Sequence, residues 1–423
     1  MKNVIEHLQE RGFIDQMSSE DLKQLLEKPI SAYVGFDPTA DSLHLGNLVG
    51  IIALEWMQRF GHTPYVVLGG ATGRIGDPSG KSQERPLLSE ELLSSNLKSL
   101  AHFFKDIFSD AKNRHLIVNN DSWYSSFTLI HFLRDVGKEF RLSTMLAKES
   151  VKARLQSEEG MSFTEFSYQI LQAYDFFHLF QKEGVVLQMG GSDQWGNITA
   201  GIELTRRLAG KTVYGFTHPL LTRSDGKKFG KSEEGAIWLS AHKLSPYQFY
   251  QYLVRVPDAD VIKLMRMLTF MEMAEIRQYE KMMQEPDYIP NTAQKKFAEE
   301  VTRFVHKEKG LELALKVTEG VNPGSSSSAL SSEVLSEIAE GMPRFACTRK
   351  EIIGEKFTEI ASKSGLVSSK AEAVRLIKNG GAYLNNQKVE DVGLCFQKDS
   401  LIDGKYILIA AGKRKKILLC ISD

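Results

Sequence analysis

Two short stretches of the chain carry side chains suited to nucleotide chemistry, although they lie far apart in the sequence. The first is Pro38–Asn47, which follows a strand-like apolar run and opens a predicted helix. Free N–H groups and partial positive charge at a helix start suit phosphate, and His44 and Asn47 would stand on that first turn. Gly46 leaves room for a flat base, and Thr39 adds a hydroxyl on the same side. Taken alone, a capped helix with two polar residues explains this stretch about as well.

The second stretch is a loop of lysines, Lys227–Ser232, with glycine at positions 226 and 230. Cations this close together are usually just solvated, but the glycines would let the loop close over a polyanionic leaving group. Activating a carboxylic acid with ATP needs a seat for adenine and the α-phosphate, and cations such as Lys228 and Lys231 for the departing pyrophosphate. The two stretches together therefore indicate ATP-dependent activation of an acid.

Two further loops could take part in the same site. Gly76–Arg85 follows a second strand, and its glycines would bring Lys81 and Arg85 close to phosphates, although a polar surface loop is the simpler explanation. Gly190–Asn197 lies at the carboxyl end of another predicted strand, where ligands bind in open α/β sheets. There Asp193 could accept hydrogen bonds from ribose hydroxyls, and the glycines would admit a substrate closely.

A strongly aromatic helix, predicted over Phe163–Phe180, carries one polar stripe. Tyr168, Gln172 and Asp175 follow the i, i+4, i+7 spacing and share one face. The stripe could simply face solvent. Polar groups on so apolar a helix are costly to bury without partners, so a ligand-lined pocket is about as good an explanation. Phenol, amide and carboxylate in a row could hold a zwitterion and a hydroxyl.

These side chains need a sheet to position them. Ser31–Phe36 and Tyr65–Leu68 are predicted as buried strands, with a helix at about Leu43–Phe60 between them. Val185–Gln188 is predicted as a further strand, and residues 2–29 as amphipathic helix. The β-turn-α-β order predicts an α/β fold with a Rossmann-like parallel sheet and right-handed crossovers.

Patterning and composition divide the chain into a catalytic domain, a helical domain, a linker and a small tail. We expect the Rossmann-like catalytic domain over residues 1–220, with a helical insertion at about 115–180. The lysine loop and an α-helical domain follow over 221–322. A serine-rich linker, 323–344, then leads to a small α+β RNA-binding domain over 345–423.

The tail has its cations on two predicted elements. Lys370, Arg375 and Lys378 lie on a predicted helix, and Lys413–Lys416 lies at a strand edge, after a hairpin turn at Asn385-Asn386. Solvated charge is the default explanation. Cations clustered in an appended unit also suit contacts with an RNA backbone.

Composition limits the cellular setting. Lys plus Arg and Asp plus Glu balance at 53 each, so any nucleic-acid contact must come from local basic patches. The 3 cysteines are widely spaced, which argues against a disulfide framework or a zinc site and fits a reducing compartment. The sequence has no signal-peptide core and no apolar run of membrane length, so we expect a cytoplasmic protein without membrane contact.

Taken together, these stretches resemble the bacterial-type tyrosyl-tRNA synthetases, which are class I aminoacyl-tRNA synthetases. The two opening stretches correspond to the HIGH and KMSKS motifs of that class. The match continues in order over nearly the whole chain, and the tail resembles an RNA-binding module shared with a small-subunit ribosomal protein. The matching segments are Tyr33–Thr39, His44–Asn47, Gly69–Asp77, Ser162–Asp175, Gly190–Thr199 and Lys228–Ser232.

The resemblance implies a tyrosine pocket beside an ATP seat. The substrate phenol would meet Tyr33 and Asp175, and the substrate ammonium would meet Asp77, Tyr168 and Gln172. The adenylate would lie against Gln194, Asp193 and the backbone of Gly35 and Gly191. Asp37, Gly46 and Asn47 would complete the ATP-binding site. The phosphates would be contacted by Thr39, His44, Lys81, Arg85, Lys228 and Lys231.

The resemblance also implies the reaction and the partners. ATP would be a substrate and would arrive with Mg²⁺, without a separate metal site, and tyrosine would pass from its adenylate to tRNA(Tyr). A homodimer through the insertion helices, around Phe127–Phe163, is expected as well. Asn47 stands where the family usually has a second histidine, and Ser232 where threonine is common. An amide keeps a donor for ribose, so we expect modest tuning.

Two alternative functions stay open at this point. One is a tryptophanyl-type synthetase, and Tyr33 with Asp175 favours a phenol over an indole. The other is a non-catalytic RNA-binding derivative of the fold, against which the intact lysine loop argues.

Overall fold

The computed structural model of the chain describes residues 3–81, 83–109, 115–156, 160–226, 228–232, 235–321, 324, 330–339, 342–412 and 415–422. The chain forms two compact units. The first comprises Met1–Lys243 and Val256–Val301, and the second comprises Leu244–Arg255 and Thr302–Asp423. Among the described residues, no helix combines the length and the apolar character needed to cross a bilayer.

A mixed, mainly parallel sheet forms the centre of the first unit. Its described strands are β1 (Gln16–Met17), β2 (Ser31–Phe36), β3 (Thr63–Leu68), β4 (Leu116–Asn119), β5 (Val185–Gly191) and β6 (Tyr214–His218). They lie in the order β1-β6-β5-β2-β3-β4, and all neighbours are parallel except the antiparallel edge pair β1–β6. The predicted α/β fold is confirmed. A short hairpin, β7 (Lys231–Ser232) with β8 (Gly235–Ala236), lies in the lysine-loop region.

Helices connect and cover these strands. They are α1 (Val4–Glu10), α2 (Asp21–Leu25), α3 (Leu48–Arg59), α4 (Glu90–Ile107), α5 (Asp121–Tyr124), α6 (Leu129–Asp135), α7 (Leu142–Leu146), α8 (Glu149–Leu155), α9 (Phe163–Glu183) and α10 (Trp195–Ala209). After α11 (Pro246–Val254) of the second unit come α12 (Asp258–Leu268) and α13 (Met273–Met282) of the first. The helical segment α14 (Thr292–Gly320) continues into the second unit, with non-helical backbone at Lys307.

Local signals explain where the two central helices begin and end. The Ser162 side chain accepts a hydrogen bond from the backbone N–H of Glu165 and caps α9, which ends at Gly184 in the left-handed conformation. Helix α3 is apolar nearly all round and almost entirely buried, because it crosses over between β2 and β3. Both helices are thereby held firmly against the sheet.

Three local predictions for the first unit were wrong. The amphipathic helix expected over residues 2–29 is replaced, in the described part of that segment, by α1, β1 and α2, since the chain turns at Gly12, where φ is 78°. The helix expected from about Leu43 begins at Leu48, after a 3₁₀ turn over Leu45–Asn47. The insertion starts after β4, not at residue 115, because a short apolar run does not distinguish strand from helix.

The second unit contains an antiparallel sheet with one parallel edge strand. Its described strands are β9 (Arg344–Thr348), β10 (Ala382–Leu384), β11 (Gln387–Lys388), β12 (Tyr406–Ala411) and β13 (Lys415–Ser422), in the order β11-β10-β12-β13-β9. Its later helices are α15 (Ser332–Ala339), α16 (Arg349–Ile352), α17 (Phe357–Lys363) and α18 (Lys370–Lys378). The predicted helix at 370–378 is confirmed. So is the hairpin, whose Asn385 and Asn386 have φ of 45° and 66°.

The division into units differs from the expected domain boundaries. Residues 221–243, α12 and α13 group with the parallel sheet, so no unit boundary falls at 220. The expected linker 323–344 contains α15. Apolar residues of α14, α15, β12 and β13 share one buried cluster, which includes Val317, Val321, Val334, Leu335, Leu408 and Leu418. The tail therefore packs with the helices before it, a contact that no local composition signal reveals.

Candidate active site

One end of the site is a buried carboxylate beside a buried phenol. Asp175 on α9 accepts hydrogen bonds from Asn120 Nδ2 at 3.1 Å and from Trp123 Nε1 at 2.9 Å. Tyr33 on β2 is only 1% exposed, and its hydroxyl has no hydrogen-bond partner among the described residues. Burial and the charge of Asp175 raise the pKa of the Tyr33 phenol well above its ordinary value. This end can accept and donate hydrogen bonds to one further hydroxyl.

The polar stripe of α9 faces inward, which answers the question that the sequence left open. The Tyr168 hydroxyl donates to Asp37 Oδ2 at 2.8 Å, and Thr72 Oγ1 donates to Asp37 Oδ1 at 2.7 Å. Burial raises the pKa of Asp37 to about 6, although these two hydrogen bonds and the charge of Arg85 oppose the shift. Burial thus makes the Asp37 carboxyl hold its proton more tightly than an exposed carboxyl would.

A network of amides holds a third carboxylate, Asp77. Asp77 Oδ2 accepts from Gln194 Nε2 at 2.6 Å, and Asp77 Oδ1 accepts from the backbone N–H of Ser79 at 2.9 Å. Gln172 Nε2 in turn donates to Gln194 Oε1 at 3.1 Å. Direct hydrogen bonds therefore link Asp77, Gln194 and Gln172, which come from three different parts of the chain. The resemblance assigns substrate contacts to all three.

The loop Gly76–Arg85 lies at the site. Arg85 Nε donates to the Asp77 carbonyl oxygen at 3.2 Å. Gly80 has φ of 67°, and a Cβ there would stand 3.5 Å from Asp193 Oδ2, so this turn passes close to Asp193. The side chain of Lys81 is exposed. The simpler explanation of this loop as a mere surface turn is thereby weakened.

The side of the site that the resemblance assigns to the adenylate carries Asp193 next to Gly191. Burial raises the pKa of Asp193, while the charge of Lys228 acts in the opposite direction. A Cβ at Gly191 would stand 2.6 Å from Asp193 Oδ1 and 3.0 Å from Leu220 Cδ2, so a larger residue there would require these side chains to shift. Gly35 is the exposed residue of the otherwise covered strand β2, and a Cβ there would meet nothing within 4 Å. The backbone at Gly35 is therefore open to a ligand, whereas Gly191 lies close against Asp193.

The two stretches that opened the sequence analysis are in contact. The Leu45 N–H donates to the Ile237 carbonyl at 2.8 Å, and the Ile237 N–H donates to the Gly230 carbonyl at 2.9 Å. Gly230 has φ of 85°, and a Cβ there would stand 3.0 Å from Leu45 Cβ. His44 also forms a β-bridge with Trp238. The segment of the lysine loop at Gly230 therefore packs against the turn that carries His44.

Hydrogen bonds fix the chemistry of His44. Its Nδ1 accepts from the Gly46 N–H at 3.1 Å, so in the neutral ring the proton lies on Nε2, which can donate to a phosphate oxygen. The His44 N–H donates to Asn47 Oδ1 at 3.1 Å. The oxygen of the Asn47 amide therefore caps this turn. Its N–H₂ group is the part of the amide that the cap does not use.

The remaining predicted residues are placed less completely. Lys228 pairs with Thr222 in a β-bridge, and its side chain is exposed. Lys231 lies on β7, where only its backbone is described, and Lys227 lies outside the described residues. The Thr39 N–H donates to the Asp37 carbonyl, and its side chain is exposed. The roles of these residues stay predictions.

Sequence reasoning missed four polar residues of the site. Asn120 and Trp123 hold Asp175, Thr72 holds Asp37, and Asn197 lies within the amide network. Thr72 and Asn197 fall inside segments that the resemblance matched, which was the only signal available for them. Asn120 and Trp123 follow β4, a strand that was not predicted.

The raised pKa of Asp175 predicts that the stability of the folded protein depends on pH. Burial raises this pKa to about 7, and the hydrogen bonds from Asn120 and Trp123 only partly oppose the shift. The folded protein therefore holds this proton more tightly than the unfolded chain, in which the pKa is about 3.9. The resulting stabilisation is present below about pH 4 and is lost as the pH rises through about 7.

Denaturant unfolding of the wild type and Asp175→Asn across this pH range tests the prediction. The wild type should lose stability relative to the variant as the pH rises. A stability difference that does not change with pH would contradict the raised pKa.

Comparison with known proteins agrees with this geometry. A family model described as tRNA synthetases class I (W and Y) matches residues 25–321, and a model of the tyrosine–tRNA ligase SYY-like C-terminal domain matches residues 334–419. The tyrosine–tRNA ligase of Protochlamydia amoebophila is 57% identical over 421 residues, which cover 99% of each chain. The chloroplastic/mitochondrial tyrosine–tRNA ligase of Arabidopsis thaliana is 48% identical, over 99% of this chain and 84% of that one.

A solved structure supports the same assignment. The C-terminally truncated mitochondrial tyrosyl-tRNA synthetase of Aspergillus nidulans superposes with a TM-score of 0.67 at 32% identity, over 74% of this chain and 92% of that chain. Both full-length relatives are tyrosine enzymes, which decides against the tryptophanyl-type alternative. The chain therefore belongs to the class I tRNA synthetases of the tryptophan and tyrosine group, and within it to the tyrosine–tRNA ligases.

Proposed function

We propose that the site formed by β2, β5, α9, the turn of His44 and the lysine loop carries out both steps of tyrosine–tRNA ligation. The observation that carries this proposal is the buried pair of Asp175 and Tyr33, which suits a phenol. The Asp77 network and the contact of the His44 turn with the lysine loop support it. A tyrosine at the first group and the phosphates of ATP at the last would fit these groups.

The first step needs no general base, because the tyrosine carboxylate is already ionised. One carboxylate oxygen attacks the α-phosphorus of ATP, a new O–P bond forms, and the bond from the α-phosphorus to the bridging oxygen breaks. Pyrophosphate leaves with that electron pair. The chain contributes position and charge: His44 Nε2–H donates to the α-phosphate, while Lys228, Lys81 and Arg85 attract the pyrophosphate.

In the second step a ribose hydroxyl at the tRNA 3′ end attacks the acyl carbon and forms an ester bond. The bond from the acyl carbon to the phosphate oxygen breaks, and AMP leaves with that electron pair and takes up the hydroxyl proton. Mg²⁺ would accompany the ATP phosphates. The described residues include no group of three or more His, Cys, Asp or Glu side chains placed to hold a metal ion.

Pyrophosphate exchange with each of the twenty amino acids tests the substrate. We expect exchange into ATP with tyrosine alone. Exchange that depends on another amino acid, or no exchange with any of them, would refute the proposed function.

We propose further that the chain forms a homodimer through its insertion helices. Leu129 and Ile130 on α6 are 71% and 69% exposed, and Leu142 on α7 is 66% exposed. Such a group of large apolar side chains marks an interaction surface. Its place on α6 and α7, which carry none of the site residues described above, supports a second copy of this chain as the partner.

An aspartate at Ile130 should break this dimer. Burying an unpaired charge costs several kcal/mol, so Ile130→Asp should weaken dimerisation by at least about 100-fold. Sedimentation should show twice the 47.6 kDa chain mass for the wild type and the single mass for the variant. The control is Ile289→Asp, because Ile289 is equally exposed at 72% but lies outside the insertion. A wild type that stays monomeric at micromolar concentration would contradict the proposal.

We propose that the second unit binds tRNA through the exposed face of α18. Arg375 and Lys378 are both exposed there. The double variant Arg375→Ala/Lys378→Ala should weaken tRNA binding, and should lower the slope of log affinity against log salt by about 1 to 2, because phosphate contacts release counterions. Tyrosine-dependent pyrophosphate exchange should be unchanged.

The matched control removes two exposed lysines elsewhere in the tail, Lys398 and Lys405. An equal loss of tRNA affinity in both double variants would mean that only total charge matters. Charge variants are a sharper test than truncation near residue 328, since that cut would uncover Val317 and Val321, which pack with β12 and β13.

A cytoplasmic location stays a prediction. Balanced charge and cysteine usage support it, whereas the Arabidopsis thaliana relative is named as chloroplastic/mitochondrial. Cell fractionation followed by immunodetection would decide it.

A further inference from the structure

Asn197 lies in the first turn of α10, 5% exposed, with its amide nitrogen among four side-chain oxygens. Its Nδ2 lies 3.0 Å from Gln172 Oε1, 3.2 Å from Ser79 Oγ, 3.3 Å from Gln194 Oε1 and 3.4 Å from Asp77 Oδ1. An amide nitrogen has only two hydrogens, so these oxygens share them. The shortest contact, to Gln172, is the strongest.

These contacts set the direction of a chain of hydrogen bonds. Because Asn197 donates to Gln172 Oε1, the Nε2 of Gln172 is the group left to face Gln194, and it donates to Gln194 Oε1 at 3.1 Å. Gln194 then has only its own Nε2 for Asp77, and this contact is 2.6 Å. One buried asparagine therefore determines how two glutamine amides and one carboxylate are oriented.

We propose that Asn197 is a positioning residue for the ammonium group of the amino-acid substrate. It turns the oxygen of Gln172 and the carboxylate of Asp77 into a fixed pair of acceptors at the middle of the site. Without this donor, both glutamine amides can rotate and present N–H groups to the ammonium, which repel it. The inference rests on the proposed function, in which Asp77, Tyr168 and Gln172 meet the ammonium.

Two ligands that differ only in the ammonium group separate this role from a structural one. L-Tyrosine has the ammonium, and 3-(4-hydroxyphenyl)propionate lacks it. In the full-length protein, Asn197→Ala should raise the Kd of tyrosine about 10-fold, the loss expected for a buried hydrogen-bond partner, and leave the Kd of the analogue within about 2-fold. Equilibrium dialysis or calorimetry measures both constants.

Thr199→Ala is the matched control. Thr199 lies on the same helix, and its hydroxyl donates only to backbone carbonyls of Trp195 and Gly196. The control should leave both constants unchanged. If Asn197→Ala does not fold, Asn197→Ser is measured with the same two ligands and should show the same selective loss, because a serine hydroxyl is too short to replace the amide donor. Normal binding of the analogue demonstrates that a variant is folded.

An equal loss for both ligands, or no loss for either, would overturn the role proposed for Asn197. Failure of the underlying site assignment is recognised separately with Asp77→Asn, which should weaken tyrosine and spare the analogue. If Asp77→Asn binds tyrosine like the wild type, then the ammonium does not lie at Asp77 and the proposed function of this part of the site fails, whatever Asn197 does.

Discussion

Replacing Asp175 by asparagine should lower kcat/KM for tyrosine in the activation step by about 10²–10³-fold, or about 3–4 kcal/mol. The wild-type carboxylate offers acceptors to Asn120, to Trp123 and to a substrate hydroxyl. The amide of the variant has one acceptor oxygen and adds an N–H₂ group, so it opposes one of these donors. A buried hydroxyl without its partner then bears its full desolvation cost.

The measurement is tyrosine-dependent pyrophosphate exchange, repeated with phenylalanine. Selectivity for tyrosine over phenylalanine should fall together with kcat/KM, because the site would no longer bind the substrate hydroxyl through a favourable hydrogen bond. The control is Asp121→Asn, the same chemical change at a more exposed carboxylate that pairs with Arg74 at 2.7 Å. A variant at Asp175 that activates tyrosine at the wild-type rate would refute the tyrosine pocket.

Removing the charge of Lys228, or the donor of His44, should lower the rate constant of adenylate formation by about 10²–10³-fold. The Kd of tyrosine should change by less than about 2-fold, because these groups act on charge that develops only as pyrophosphate leaves. Backbone contacts join the turn of His44 to the lysine loop, which supports a shared role for these two groups. Their effect should therefore fall on the transition state.

Stopped-flow measurement of adenylate formation separates the rate constant from tyrosine binding. Lys243→Ala is the matched control, since Lys243 follows the same loop but pairs with Asp41 at 2.7 Å. We expect wild-type kinetics from that control. A weakened tyrosine Kd with an unchanged forward rate in Lys228→Ala or His44→Ala would contradict their assignment to the transition state.

Much of the fold and of the site could be predicted from local patterns. The parallel sheet follows from apolar runs separated by a turn and a helix, and these signals lie within a few dozen residues of each other. The shared face of Tyr168, Gln172 and Asp175 follows from helix geometry alone. The glycines that open the Gly190–Asn197 turn and the tail hairpin at Asn385-Asn386 are likewise predicted from local sequence, whereas the role of Gly35 was implied only by the family resemblance.

Other features depend on which distant residues become neighbours, and no local pattern encodes that. The pKa of Asp175 rises to about 7 because the fold buries this carboxyl, and the hydrogen bonds from Asn120 and Trp123, more than fifty residues earlier in the chain, only partly oppose the rise. The glycines of the lysine loop suggest a loop that can move. In the folded protein, however, backbone hydrogen bonds join this segment to the turn of His44.

The sequence by itself therefore determined which chemical groups this protein has and which secondary structure carries most of them. The tertiary structure alone decided which of those groups meet, which are desolvated and how their amides are oriented. Asn197 shows the difference: in sequence it is an ordinary first-turn residue of a helix, and only the packing of α10 against α9 and the Gly76–Arg85 loop surrounds it with four oxygens. Propensity acts over a few residues, whereas burial and hydrogen-bond direction are properties of long-range contacts.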